Sequence, residues 1–175
     1  MEEQLKADFL KIIKNSKFSK DNIKLKEGYL NKFIESGFPN KNHENWKFSD
    51  LNQIIKKKIG DLSFYNDYSL SNEVNSSDFI DGLEHNKIVF TNGRIEKIDF
   101  EYEEKDKIEI LDELEIKKQF DNINSLINLN NAFANKFYKI IIKKNYALKK
   151  PLIIYHITNN KIKSKNINLR LDFLL

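Results

Sequence analysis

The sequence predicts an α+β chain, with helices leading and strands following. Apolar residues recur at helical spacing as far as about position 55. Period-two alternation and short apolar runs begin only near position 88, and an Asn-Gly pair there marks a hairpin. At 175 residues the chain suits one domain or two small ones, and can bury roughly two-thirds of its unfolded surface.

Leu5, Phe9, Ile12 and Ile13 share one helical face and predict a first helix. Ile23, Leu30, Phe33 and Ile34 predict a second, stopped by Gly37 in a left-handed cap and barred from continuing by Pro39. Trp46, Phe48, Leu51, Ile54 and Ile55 predict a short third helix closed by Lys56, Lys57, Lys58 and Gly60. Ser49 or Asp50 supplies its N-cap oxygen, with Gln53 completing a capping box if Asp50 is the cap.

Residues 61–86 turn to Asn, Ser and Asp and read as a long connection, with at most a turn or two of helix near Phe79 to Leu83. Ile88-Val89-Phe90 then precedes Asn92-Gly93, a two-residue hairpin turn in which both positions tolerate positive φ. Beyond it Ile98, Phe100 and Tyr102 alternate with Asp99, Glu101 and Glu103 as a half-buried strand, and Ile108 to Leu111 suggest another. Residues 125–135 predict a helix with Leu126, Leu129, Ala132 and Phe133 on one face. Three β-rich segments follow: Tyr138 to Lys143, Leu152 to Thr158 and Ile167 to Leu175. Their short, even spacing fits either a meander or successive sides of a solenoid. The last is apolar at Leu169, Leu171, Phe173, Leu174 and Leu175, with no capping residue after it, and reads as the front part of a longer protein.

Composition excludes several function classes. The chain has no cysteine, so thiolate nucleophiles, disulfides and cysteine-ligated metal or cluster sites are ruled out. No run approaches the ~18 apolar residues of a membrane helix, and Met1 to Lys6 lack a secretory pattern, so a cytoplasmic location is expected. The net charge is +4, but Arg94 and Arg170 are the only arginines among 30 basic residues. A phosphate- or base-reading surface favours arginine forks over lysine point charges, so nucleic acid is not expected as a partner.

The five glycines lie too far apart for a dinucleotide fingerprint or a phosphate-cradling loop. His43-Glu44 begins like a zinc-protease helix, but Lys47 stands where the second histidine is required. His156 reads as a structural residue of an apolar strand, and His85 as a solvated loop residue. Glu101, Glu103, Glu104 and Asp106 offer carboxylates for an acid–base pair, but a solvated strand face explains Glu101 and Glu103 better. Trp46 reads as a core anchor beside Phe48 and Leu51 rather than a stacking platform. The residues alone therefore predict a helical module leading into β structure, with no catalytic, cofactor-binding or metal-ligating residue.

Residues 37–51, Gly-Phe-Pro-Asn-Lys-Asn-His-Glu-Asn-Trp-Lys-Phe-Ser-Asp-Leu, closely resemble the N-terminal signature of the SufD family, scaffold proteins of the SUF system of iron–sulfur cluster assembly. That family typically reads Gly-Leu-Pro, a basic and polar stretch, Glu-x-Trp-Lys-Tyr-Thr, then Leu. Here Phe38 replaces Leu, and Phe48-Ser49 replace Tyr-Thr, with Ser49 keeping a capping hydroxyl. Three more segments agree in order: Ile88 to Arg94 with the family's apolar strand and Asn/Asp-Gly-Arg, Leu129 to Ala134 with its Leu-Asn-x-Ala-Phe helix, and Lys150 to Thr158 with its Lys-Pro-apolar-His strand.

The resemblance implies an N-terminal helical region at 1–60, a connecting region with a hairpin and a helix at 61–136, and the first strands of a right-handed parallel β-helix, truncated, at 137–175. It implies a non-catalytic scaffold whose partners, SufB and the ATPase SufC, bind through regions beyond Leu175. The iron–sulfur cluster would be transient cargo of the full complex, and this segment would bind no cofactor. Gly37, Pro39 and Trp46 are then structural: a helix stop, a rigid turn and a buried anchor. Two other readings stand beside this one, a carbohydrate-active β-solenoid enzyme and a lysine-rich nucleic-acid-binding module.

Overall fold

In the computed structural model, helix α1 (Glu2–Lys14) begins with Glu2 and Glu3 and ends with Lys11 and Lys14, charges that complement the helix dipole at each end. Its face of Leu5, Phe9 and Ile12 is buried, with Ile13 packed at the margin. The structure describes residues 2–41, 46–55, 57, 63–64, 74–75, 78–113, 115, 124–158, 162 and 165–175.

Helix α2 (Lys20–Ser36) starts at Ser19, whose hydroxyl accepts from the Asn22 amide at 3.2 Å. It stops at Gly37, whose N–H donates to the Phe33 carbonyl at 2.7 Å. With φ +67° and ψ −169°, Gly37 lies not in the left-handed helical region but in an extended positive-φ region open essentially to glycine alone. Phe38 and Pro39 are buried directly after this turn, and the Phe38 ring meets Phe33 edge-on at 4.9 Å.

Helix α3 (Leu51–Ile54) begins later than the apolar spacing predicts, at Leu51 rather than near Trp46. Of the two expected candidates, Asp50 is the N-cap and accepts from the Gln53 amide at 3.2 Å. Trp46 sits before the helix in a tight turn closed by Ser49 N–H donating to its carbonyl at 2.8 Å. It is half-buried rather than a core anchor, and Phe48 is 93% exposed. The buried aromatic of this block is Phe38, because the positive-φ turn at Gly37 aims position 38 back at α2. Lys56, Lys58 and Gly60, the expected helix close, lie outside the described residues.

Strands β1 (Asn86–Thr91) and β2 (Arg94–Asp99) form the expected hairpin. Asn92 (φ 54°) and Gly93 (φ 84°) make the turn, and Thr91 pairs with Arg94. A bulge between Val89 and Phe90 shifts the register. The strand on the far side ends sooner than predicted. The Asp99 carboxylate accepts from the Glu101 amide at 3.3 Å, and the Glu103 amide donates to the Phe100 carbonyl at 3.0 Å. This side-chain-stabilised turn removes Phe100 to Glu103 from the ladder, so Glu101 and Glu103 do not share a strand face, and Ile98 is exposed. Near Phe79 to Leu83, where at most a turn or two of helix was expected, the chain forms bends, and Gly82 holds φ +72°.

Strand β3 (Ile108–Glu113), helix α4 (Ser125–Phe133) and strands β4 (Phe137–Ile142), β5 (Leu152–Ile157) and β6 (Arg170–Leu174) follow near their predicted places. One sheet has the order β2-β1-β5, and the other β3-β4-β6. β5 runs parallel to β1 in continuous register from Asn86↔Leu152 to Thr91↔Ile157. The molecule is thus mixed α+β, an N-terminal helical region followed by two small sheets.

The chain divides into two compact units: Met1–Asn66 with Glu113–Phe137 and Ser164–Arg170, and Asp67–Asp112 with Tyr138–Lys163 and Leu171–Leu175. In the first, α1, α2 and α4 enclose a core of Leu5, Phe9, Leu30, Phe33, Leu129 and Phe133, and Phe64 stacks face to face on Phe133 at 3.5 Å. In the second, Ile88, Val89, Phe90, Tyr138 and Ile140 are the buried apolar residues of the strands, and the Phe90 and Tyr138 rings meet at 5.3 Å. Among the described residues no helix is long and apolar enough to cross a membrane.

Candidate functional site

Strand β1 begins at a fully buried Asn86, whose side-chain amide donates to Glu103 at 2.7 Å and to the Lys150 carbonyl at 2.9 Å. Glu103 also accepts from the Lys149 amide at 3.0 Å, the Lys150 amide at 3.2 Å and the Tyr146 hydroxyl at 2.7 Å. Tyr146 in turn accepts from the Glu104 amide at 3.0 Å. Burial acts to raise the Glu103 pKa, but these donors together prevail and hold it down at about 2. Such a carboxylate stays ionised at neutral pH and has its lone pairs committed, so it serves as a knot joining the 100–104 turn to the 146–150 loop. It is a poor proton donor, and Glu101 is exposed on the turn beside it. This knot was not legible as alternation, because a turn rather than a strand delivers Glu103.

The histidines are dispersed. His85 is 2% exposed, where a solvated loop residue was expected. Its Nε2 lies 2.7 Å from the Tyr155 hydroxyl and its Nδ1 2.5 Å from the Leu83 carbonyl. The Tyr155 oxygen also accepts from the Ile80 amide at 3.1 Å, and the Leu83 carbonyl, which can only accept, takes its hydrogen bond from Nδ1–H. The ring is bonded through both nitrogens and so ties the 78–85 segment to β5. His156 is paired in the sheet opposite Phe90 and stacks on that ring at 5.1 Å, and partial burial lowers its pKa. His43 and Glu44 lie outside the described residues.

Among the described residues no group of three or more His, Asp or Glu side chains is arranged to hold a metal ion. The helical unit carries an open cleft of about 330 Å³ where the start of α1 meets the end of α2, lined by Glu2, Leu5, Phe33, Phe38, Asn40 and Asn52. Glu2, its carboxylate, is paired with Lys6 at 2.6 Å, and Ser36, its hydroxyl, donates to the Lys32 carbonyl of its own helix. Buried polar knots fix loops to strands, and among the described residues the outer strands of the two sheets have no further partner strand on their far edges.

No protein-family model matches the chain, and a search of curated proteins returns no match.

Proposed function

We propose that the chain is the N-terminal part of a SufD-like scaffold, a non-catalytic subunit acting with SufB and the ATPase SufC in iron–sulfur cluster assembly in the cytoplasm. The observation that carries this reading is a pairing. The two strands singled out by the resemblance, Ile88 to Phe90 and Leu152 to Ile157, lie side by side, parallel and in register, with Phe90 opposite His156. From β4 onward the chain passes from one sheet to the other and back, β4 and β6 being neighbours in one and β5 lying beside β1 in the other. That alternation is what the opening coil of a parallel β-helix requires. The cluster is cargo of the assembled complex, and this part of the chain holds none of its ligands.

The carbohydrate-enzyme reading is weaker, since Glu103 is tied up as a hydrogen-bond acceptor and is held ionised. The test of the scaffold reading is co-expression of the full-length gene with SufB and SufC. A co-purifying complex whose cluster assembly depends on this chain is expected. Failure of the chain to co-purify with either protein overturns the reading.

A further inference from the structure

Lys26 lies in the middle of α2 and is fully buried, an unusual place for the residue type least tolerant of a dry interior. Its Nζ reaches across to the carbonyl end of α4 and donates to Asn131 at 3.0 Å, Ala132 at 3.2 Å and Ala134 at 2.5 Å. The rings of Phe18 and Phe137 flank the same nitrogen at 4.9 and 5.2 Å. Carbonyls at the end of a helix have no partner within it and carry its negative dipole end, so the Lys26 nitrogen meets acceptors that α4 leaves open.

No carboxylate pairs with this nitrogen among the described residues. Ser125–Phe133 of α4 contain no charged side chain. The segment after α4 brings Lys136, and β6 brings Arg170, whose Nη1 is 3.0 Å from the Asn131 side-chain oxygen. On its own helix the buried neighbours of Lys26 are Asn22, Tyr29 and Leu30. At the start of α2 stand Asp21 in its first turn and Glu115, from the segment after β3, which accepts from the Ser19 amide at 2.6 Å.

We infer that Lys26 is a proton-operated latch that fastens α2 to the carbonyl end of α4. The charge is held by dipoles and ring faces alone, in the dry seam between two helices. The ammonium therefore gives up water without gaining a counter-ion, whereas the neutral amine keeps two donors for the three carbonyls at much smaller desolvation cost. Burial correspondingly lowers its pKa from 10.5 to about 7. The sign follows from linkage. Above pH 10.5 the amine is neutral in both folded and unfolded chains and carries no penalty. As pH falls towards 7 the unfolded chain gains a proton that the folded one refuses, so the latch weakens through that window and is weakest below it.

The test is thermal and urea unfolding of the full chain from pH 6 to 9, beside Lys26→Met, which keeps the length of the side chain and removes the proton. The wild-type folding equilibrium is expected to strengthen roughly fiftyfold between pH 7 and 9 relative to the variant. Parallel pH profiles in the two proteins overturn the proposal. Should Lys26→Met fail to fold, the wild type labelled with ¹³C at lysine Cε decides. One lysine titrating near neutrality, in step with hydrogen-exchange protection of the Asn131 to Phe133 amides, is expected. Titration of every lysine near its ordinary value overturns the latch.

Discussion

The Glu103 carboxylate accepts the Tyr146 hydroxyl at 2.7 Å, across 43 positions of sequence. With Asn86 and the Lys149 and Lys150 amides it completes a knot in which one side chain satisfies a buried amide and two loop N–H groups. Removing an acceptor of this kind strands its donors, which costs more than the bonds themselves contribute.

Glu103→Ala is therefore expected to destabilise the chain by about 2–3 kcal/mol, measured as a fall in the urea midpoint, with Glu103→Gln intermediate. The pH dependence has a fixed sign. The folded pKa of about 2 lies below the ordinary 4.5, so the contribution is whole above pH 4.5 and drains away as pH falls towards 2. The wild type is expected to lose stability across that range more steeply than Glu103→Gln. Equal slopes would show that Glu103 is not the acid-sensitive group.

Two phenylalanines in the tryptophan-bearing block are expected to behave oppositely. Phe38 is buried against Phe33, and Phe38→Ala should cost about 3–4 kcal/mol by leaving a cavity. Phe48 is 93% exposed, and Phe48→Ala should stay within about 0.5 kcal/mol of wild type. Chemical denaturation of both variants checks this, and a large loss at Phe48 would mean that this block packs elsewhere.

Two glycines are likewise expected to differ in sign. Gly93 holds φ 84° in the hairpin turn, so Gly93→Ala should destabilise by about 1 kcal/mol through left-handed strain. Gly28 lies inside α2, where an added Cβ meets nothing within 4 Å. Gly28→Ala should stabilise by about 0.5–1 kcal/mol, since glycine there only adds entropy to the unfolded chain. Melting temperatures of the two single variants give the comparison, and a stabilising Gly93→Ala would show that the turn is not as described.

Local chemistry was legible wherever it acts within a few residues. The faces of α1 and α2, the stop at Gly37, the Asp50 option for the α3 cap and the Asn92-Gly93 turn all depend on neighbours close in sequence. The short β2 strand was missed because Asp99 bonds the Glu101 amide and competes with the ladder, a choice that alternation does not encode. His85 was misjudged because a polar neighbourhood in sequence says nothing of Tyr155, which arrives from a strand 70 positions later.

By itself, then, the order of residues determined where helices and strands form and which chemistries the chain lacks, since period, capping and composition are local or additive. Only the tertiary structure decided that β5 lies on β1, that Glu103 and His85 are bonded inward, and that Lys26 closes the end of α4. Each of those depends on which distant segments meet once apolar faces are buried, and a buried polar group takes its partner from that meeting rather than from its place in the chain.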